Sequence, residues 1–335
     1  MKTPLFSALT CAFFVFSTMS IFAQGSLAPP GPPAATMKSL DQIEARTPIS
    51  STPFNISSAG SYYLTKNLSV TSGDAITVTA NNVTVDLNGF AITSTEASPA
   101  GAAVLISGTR TNIHVFNGNI SGNVAYNAGT YSGTGFAYGI YCSGVPKNIR
   151  VSRVGVSGCL VHGIYLSVGS SSVVEFCTVQ VIGSQGIVAD TVTNSTADFC
   201  GSYAIFGTTV ANCYAEGALN GTGIRAFVVQ NSWGLSYGTG YGITAVSTAI
   251  GCYAKSLNGT ALIAGDLAVN CFGESYSGSG FGVSANVVSN CSGYASGAGH
   301  GIRFFAIGSM CTGYSDNLGE AHVLGNGAAG PLNLP

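Results

Sequence analysis

A glycine followed by isoleucine, or in one case by valine, recurs along this chain at intervals of about 20 or about 40 residues. This repeat limits the possible folds more than any other feature. The apolar residues that follow these glycines are Ile140, Ile164, Ile187, Ile224, Ile243, Val283 and Ile302. A second motif, asparagine-apolar-x-valine, begins at Asn82, Asn112 and Asn148. Apolar and polar residues alternate within it, which is typical of β-strands. The repeat therefore predicts coils of β-strands stacked into a solenoid.

The cysteines follow the same repeat and indicate which side chains of a coil share a face. The column consists of Cys213, Cys252, Cys271, Cys291 and Cys311, separated by 39, 19, 20 and 20 residues, with Ser232 in the vacant position. Small residues stand two and four positions after this column in every coil. One position after it stand the aromatic residues Tyr214, Trp233, Tyr253 and Phe272, and three positions after it stand the charged residues Glu216, Lys255 and Glu274.

This spacing predicts which columns face the core. Alternate residues of a strand share a face, so the cysteine and small columns lie on one side and the aromatic and charged columns on the other. An unpaired charge in a dry core costs several kcal/mol. We therefore expect the cysteine and small columns to point inward, and the aromatic and charged columns to be exposed to solvent.

The chain has ten cysteines, nine of them after Cys11. Stacked strands lie about 4.8 Å apart with parallel side chains, whereas a disulfide needs Cβ atoms about 3.8 Å apart and a twisted dihedral angle. We expect mostly reduced, buried thiols. A serine in place of Cys271 is expected to lack a hydrogen-bond partner and to cost about 1–3 kcal/mol.

The N-terminal region differs from the repeat. Residues 1–23 combine an early lysine with a long apolar run and predict a secretory signal peptide, with an uncleaved anchor as the alternative. Residues 24–36 form a Pro-rich linker, and residues 37–335 form the solenoid domain. A short capping helix is expected at about 37–46, the alternative being a free amphipathic linker. No later stretch is apolar enough to span a membrane, so we expect a protein that is secreted to the extracellular space or cell surface.

The stretches ISSAGSYYLTKNL and ITVTANNVTVDLNGFAI, which follow the leader LAPPGPPAATMKSLDQIEARTPI, carry a family resemblance. From about Phe54 to Val323 the chain resembles the right-handed parallel β-helix repeat proteins of the pectin-lyase-like superfamily, of the secreted bacterial type. The resemblance implies an all-β solenoid of about 11–12 coils. The asparagines before the cysteine column, such as Asn270 and Asn290, are similar to the stacked turn asparagines of pectate lyases, which implies a structural role. Because the superfamily includes lyases, hydrolases, epimerases and adhesins, the resemblance does not imply one activity.

The chemistry of an enzyme is hard to find in the sequence. His300 lies in a Gly-His-Gly motif, but other coils place Thr, Tyr or Phe at the same position. Glu216 and Glu274 lie three coils apart, about 14 Å, which is too far for the carboxyl pair of a glycosidase. Asp190 and Asp198 are the best remaining acidic pair, although solvated turn residues explain them more simply. A lyase needs a base, often lysine or arginine. Arg225 and Arg303 follow the glycine-isoleucine motif but stand four coils apart.

Cofactors and charged partners are equally unsupported. The carboxylates do not cluster as a Ca²⁺ site requires, so Ca²⁺ has no support beyond the resemblance. No Cys-x-x-Cys or His-x-x-His pair suggests zinc, so no metal is predicted. Eleven basic and 13 acidic residues, without a basic tract, argue against nucleic acid.

Two features are candidates for ligand binding. The first is the predicted exposed ladder Tyr214, Trp233, Tyr253 and Phe272, with Glu216, Lys255 and Glu274 beside it. The second is an insertion between Ile120 and Ile140 that contains Tyr126 and Tyr131, which either binds a ligand or packs its own aromatic residues on the solenoid.

These features predict a non-catalytic scaffold that binds carbohydrate, such as a polysaccharide or cell-surface glycan, or another surface. The alternative is a polysaccharide lyase or glycoside hydrolase that acts on acidic polysaccharide. A purely structural spacer also stays open, because ladders of side chains stabilise stacked coils without any ligand.

Overall fold

The computed structural model describes residues 44–169, 171–276, 278–296, 299–316 and 323–325. The predicted signal peptide and linker lie outside these ranges. The predicted capping helix also lies outside them except for residues 44–46, which are not helical. Residues 46–335 form one compact unit, to which all of the described β-strands belong.

The described residues form β-strands and no helix. In the first part of the chain the strands are β1 Thr47–Ile49, β2 Phe54–Ile56, β3 Gly60–Leu64, β4 Leu68–Val70, β5 Ile76–Val78, β6 Val83–Asp86, β7 Ala91–Ser94, β8 Ala100–Ile106, β9 Thr111–Ser121, β10 Asn123–Asn127, β11 Thr130–Thr134, β12 Phe136–Cys142, β13 Lys147–Cys159, β14 His162–Tyr165, β15 Val173–Glu175 and β16 Thr178–Ile182. In the second part they are β17 Gln185–Thr193, β18 Thr196–Cys200, β19 Tyr203–Ala211, β20 Tyr214–Gly217, β21 Thr222–Gln230, β22 Trp233–Ser236, β23 Ile243–Ile250, β24 Tyr253–Ser256, β25 Leu262–Ala264, β26 Leu267–Val269, β27 Phe272–Ser275, β28 Phe281–Ser289, β29 Ser292–Ala295, β30 His300–Ser309, β31 Thr312–Ser315 and β32 Val323–Gly325.

All of these strands except β10 and β11 pair in parallel with the coils above and below, which makes a solenoid of about 13 turns. The parallel β-helix is confirmed, with slightly more turns than expected. Each coil contributes to three faces. Face 1 contains β12, β14 and β25, face 2 contains β15 and β26, and face 3 contains β18, β20, β22, β24 and β27. Strands β10 and β11 form a separate antiparallel hairpin.

The core is built from the inward columns. Ile140, Ile164 and Ile187 of the glycine-isoleucine repeat are fully buried and pair directly from coil to coil. The predicted inward columns of face 3 are buried as well, since Cys252 is 3% exposed and Ala254 and Ser256 are not exposed at all. The alternation read from the sequence therefore places the core correctly.

The turn between faces 2 and 3 explains the asparagine column. Asn212, Asn231, Asn270 and Asn290 all have positive φ angles, between 46° and 56°. Asparagine tolerates this left-handed conformation better than most residues. The Nδ2 atom of Asn290 donates a hydrogen bond to Oδ1 of Asn270 at 2.7 Å. These asparagines therefore have the structural role that the resemblance implied.

Sulfur–carbonyl hydrogen bonds hold the cysteine column, and all nine cysteines after Cys11 are free and buried. Cys271 Sγ lies 3.2 Å from the carbonyl oxygen of Val269, two residues earlier. In the same position Ser232 donates its hydroxyl to Gln230 O at 2.7 Å and accepts the amide of Cys213 at 3.1 Å. The expectation that a serine here lacks a partner is therefore wrong, because the turn backbone supplies both partners.

Candidate functional site

The predicted aromatic ladder forms on the outside of face 3, but only one of its four rings is exposed. Tyr214, Trp233, Tyr253 and Phe272 are paired directly across β20, β22, β24 and β27. Their ring centroids are separated by 5.8, 4.6 and 5.5 Å in that order. Trp233 is 48% exposed, while the other three rings are partly buried. The ladder therefore presents one prominent indole between two tyrosines.

An open groove runs beside this ladder and has a volume of about 650 Å³. Tyr214, Trp233 and Tyr253 line one side of it, and the turn residues Asn212 and Asn231 line it as well. Aromatic rings beside amide groups offer both apolar contact and hydrogen bonds to a polar ligand. The groove is thus a candidate binding surface that combines the ladder with the asparagine turn.

The charged column behaves as expected at one end of the ladder. Lys255 Nζ lies 3.7 Å from Glu274 Oε2, with both side chains partly exposed. The same ammonium lies 4.7 Å from the centroid of the Tyr276 ring. An ion pair of this kind contributes little to stability. Because both side chains are partly exposed, they remain accessible to a ligand.

Glu216, at the other end of the column, does not match the prediction. Its side chain faces away from the core, as alternation requires, but the residue is only 5% exposed. The Tyr214 hydroxyl donates a hydrogen bond to Glu216 Oε2 at 2.8 Å. Burial is the largest effect on this carboxyl and raises its pKa. The sequence predicted an exposed carboxylate at Glu216, but the structure buries this carboxyl group.

The neighbour of Glu216 in the preceding coil is Asp198. Strand β18 has one extra residue relative to β20 between Ala197 and Cys200, and Asp198 lies in this bulge. Asp198 Oδ1 and Glu216 Oε1 are both buried and have no hydrogen-bond partner among the described residues. The negative charge of Asp198 adds to burial in raising the pKa of Glu216.

The acidic pair is therefore Asp198–Glu216 and not Asp190–Asp198. Asp190 accepts hydrogen bonds from the backbone amides of Gly169 and Ser172, which gives it a role in a turn. A signal for the correct pair was present in the sequence. Ser195 occupies the cysteine position one coil before Cys213, so the register places Asp198 directly beside Glu216.

The insertion after Ile120 is the β10–β11 hairpin, and its aromatic residues pack on the solenoid. The Tyr131 hydroxyl donates a hydrogen bond to the carbonyl oxygen of Phe199 at 2.9 Å. The Tyr126 ring lies 4.9 Å from Tyr131 and 6.4 Å from Phe199, between centroids. Phe199 in turn stacks with Tyr237 at 6.2 Å. Tyr126 and Tyr131 are thus partly buried against face 3, next to the covered carboxyl pair.

A second aromatic surface, on face 1, was missed from the sequence. The side chains before and after the glycine-isoleucine motif both point outward, so Tyr138 stacks with Tyr141 at 4.3 Å and His162 stacks with Tyr165 at 4.7 Å. The signal was an aromatic residue on each side of the motif. His300 stacks with Phe281 of the neighbouring coil, as expected for one occupant of a variable position.

Arg225 and Arg303 also lie on face 1. Each covers aromatic rings, and Arg225 donates a hydrogen bond to the Tyr203 hydroxyl at 2.7 Å. Within the described ranges, no group of three or more His, Cys, Asp or Glu side chains is arranged to hold a metal ion. The same ranges contain no helix with the length and apolar character to cross a membrane.

No family model matches the chain, and no curated protein matches it. Among solved structures it is similar to full-length tailspike protein 2 from an Escherichia coli O157:H7 bacteriophage, with 14% identity, 82% of this chain covered and a TM-score of 0.34. It is also similar to the enzymatically active domain of tailspike protein 2 from bacteriophage CBA120, with 13% identity, 86% covered and a TM-score of 0.32. The Dettilon tailspike protein gives 14% identity, 84% covered and a TM-score of 0.36. The chain covers 35%, 39% and 60% of these three chains.

Proposed function

We propose that this chain is a secreted or cell-surface scaffold that binds carbohydrate, without catalysis, along the aromatic ladder of face 3. The observation that carries the proposal is the exposed Trp233 ring, which lies 4.6 Å from Tyr253 and lines the open groove. Flat rings pack against the apolar faces of sugars, and the amide groups of Asn212 and Asn231 can hydrogen-bond sugar hydroxyls.

The charged residues around the groove favour binding over hydrolysis. Glycoside hydrolysis needs two carboxyl groups about 5–9.5 Å apart on either side of the scissile bond. The two carboxyls that the structure brings together, Asp198 and Glu216, are covered, and Glu216 is 5% exposed. Glu274 is paired with Lys255. The accessible part of the ladder therefore offers aromatic and polar contacts without an accessible acid pair.

The test combines a glycan array on the full chain with affinity electrophoresis of variants in the polysaccharides that the array identifies. Trp233→Ala should weaken retention about tenfold or more, because a central aromatic contact is lost. Phe227→Ala is the matched control, since Phe227 is 52% exposed on β21 and lies outside the groove. It should be retained like the parent.

Three results would contradict the proposal. Retention of Trp233→Ala equal to that of the parent would exclude the ladder as the binding surface. A parent protein that no glycan retains, combined with lower stability of Trp233→Ala, would assign the ladder a purely structural role. New reducing ends or unsaturated products from a polysaccharide panel would support the lyase or hydrolase alternative.

A further inference from the structure

We propose that Glu216 keeps a proton and donates it in a hydrogen bond to Asp198, and that this proton holds the β18 bulge in the form on which the β10–β11 hairpin docks, so that rising pH releases the hairpin. The proposal assigns a pH-dependent clasp to the solenoid. It goes beyond carbohydrate binding and does not depend on it.

Two carboxyl oxygens in the bulge region lack a hydrogen-bond partner within the described ranges. Asp198 Oδ1 and Glu216 Oε1 are both buried, and neither is hydrogen-bonded to any residue that the structure describes. An ionised carboxylate can only accept hydrogen bonds, whereas a protonated carboxyl can donate one. A single proton between the two groups therefore satisfies both oxygens at once. Two full negative charges on adjacent carboxyl groups, away from water, would repel each other strongly.

Four side chains that the structure describes face the carboxyl pair. They are Tyr214 on β20, Tyr237 after β22, Tyr131 on the hairpin and Cys200 on β18. These groups are neutral acids at neutral pH, and none of the largest effects on the Glu216 carboxyl comes from a cation. Burial and Asp198 both raise the pKa of Glu216, which agrees with a retained proton.

The backbone of the bulge connects the Asp198–Glu216 pair to the β10–β11 hairpin. Phe199 directly follows Asp198, has a left-handed φ of 49°, and accepts the Tyr131 hydroxyl on its carbonyl oxygen. The Tyr131 ring lies against Gly201, where an added Cβ would be 3.1 Å from the ring atom Cε2. Tyr131 thus docks on the backbone that follows Asp198, and a shift of the bulge would break this docking.

The direction of the pH effect follows from linkage. In the docked state the bulge holds Asp198 beside the buried Glu216 carboxyl, and burial and the Asp198 charge both raise the pKa of Glu216. A bulge that shifts on release moves Asp198 away from Glu216, so the docked state binds the proton more tightly than the released state. The stabilisation of the docked hairpin is therefore complete at low pH and is lost as pH rises through the raised pKa. For one proton the docking equilibrium changes by at most tenfold per pH unit.

Hydrogen exchange of the full chain over a pH series tests this proposal, with protection factors corrected for the intrinsic exchange rate. Amides of residues 123–134 should lose protection as pH rises, by up to tenfold per unit. In Glu216→Gln the amide replaces the shared proton, so protection should stay high and vary little with pH. Glu274→Gln is the matched control, because Glu274 lies in the same column and should leave the parent's pH dependence intact.

The outcomes separate cleanly. A hairpin whose protection does not change with pH in the parent overturns the proposal, as does an unchanged pH dependence in Glu216→Gln. Loss of protection on adding a chelator would mean that a divalent cation, and not a proton, joins the carboxyls. If Glu216→Gln does not fold, Asp198→Asn takes its place, and the protection of its hairpin should likewise vary little with pH. Glycan retention plays no part in this experiment, so its result is independent of the proposed binding function.

Discussion

The two ends of face 3 share one register but have different surroundings. Glu216 and Glu274 occupy the same outward column, yet Glu216 is 5% exposed and holds the Tyr214 hydroxyl, while Glu274 is partly exposed and pairs with Lys255. At the first end Tyr214, Tyr237 and Asp198 surround the Glu216 carboxyl, and the β10–β11 hairpin packs on the neighbouring bulge. On a solenoid, the coil determines whether a side chain points outward, but contacts with neighbouring coils and with insertions determine whether it meets solvent.

The largest expected contrast between the two ends comes from glycine substitutions. At the covered end, a Cβ at Gly201 would lie 2.2 Å from the carbonyl oxygen of Gly183 and 3.1 Å from the Tyr131 ring. Because the backbone must shift, we expect Gly201→Ala to lower the free energy of unfolding by about 3 kcal/mol in urea titration. At the open end, a Cβ at Gly278 meets no atom within 4 Å. Gly278→Ala should change stability by less than about 0.5 kcal/mol, and similar effects at both glycines would show that the coils are not packed around Gly201 as described.

A smaller effect is expected for the hydrogen bond that attaches the hairpin. Tyr131→Phe removes the donor to Phe199 O and keeps the ring contacts, so stability should fall by about 1 kcal/mol. Tyr126→Phe is the control, since no hydrogen bond joins its hydroxyl to the residues that the structure describes, and its stability should stay within about 0.5 kcal/mol of the parent. Equal losses in the two variants would argue that ring packing alone holds the hairpin.

Beneath both ends the inward slot should tolerate serine. Ser195, under the covered end, donates to Thr193 O at 2.8 Å and accepts the Cys177 amide at 3.2 Å. Because the same turn surrounds Cys271 under the open end, Cys271→Ser should lower the unfolding free energy by less than about 1 kcal/mol. A loss well above this in thermal or urea melts would mean that the thiol packs in a way the hydroxyl cannot reproduce.

The smallest expected effect lies at the open end. Lys255→Ala removes a partly exposed ion pair with Glu274, and such pairs contribute between about 0 and 1 kcal/mol. The stability change should be about 0.5 kcal/mol or less at low salt and should shrink further in 1 M salt, where charges are screened. A salt-independent loss would instead point to the contact between Lys255 and the Tyr276 ring.

The parts of the fold that were predictable depend on short-range periodicity. Alternation along a strand, with a repeat near 20 residues, placed Cys252, Ala254 and Ser256 inside and the Trp233 and Tyr253 rings outside. Strand geometry relates neighbouring side chains over two residues, and the left-handed turn explains the asparagines, so both can be inferred without tertiary structure. The signal peptide and the capping helix remain predictions.

The surroundings of the outward residues were decided by the tertiary structure alone. Tyr131 and Phe199 are 68 residues apart in the chain, and no period relates an insertion to the coils on which it packs. The sequence by itself determined the solenoid, its register and the direction of each side chain, because these depend on local backbone geometry. Only the tertiary structure decided that Asp198 and Glu216 are covered while Trp233 is open, because burial on an outer face depends on contacts between distant parts of the chain.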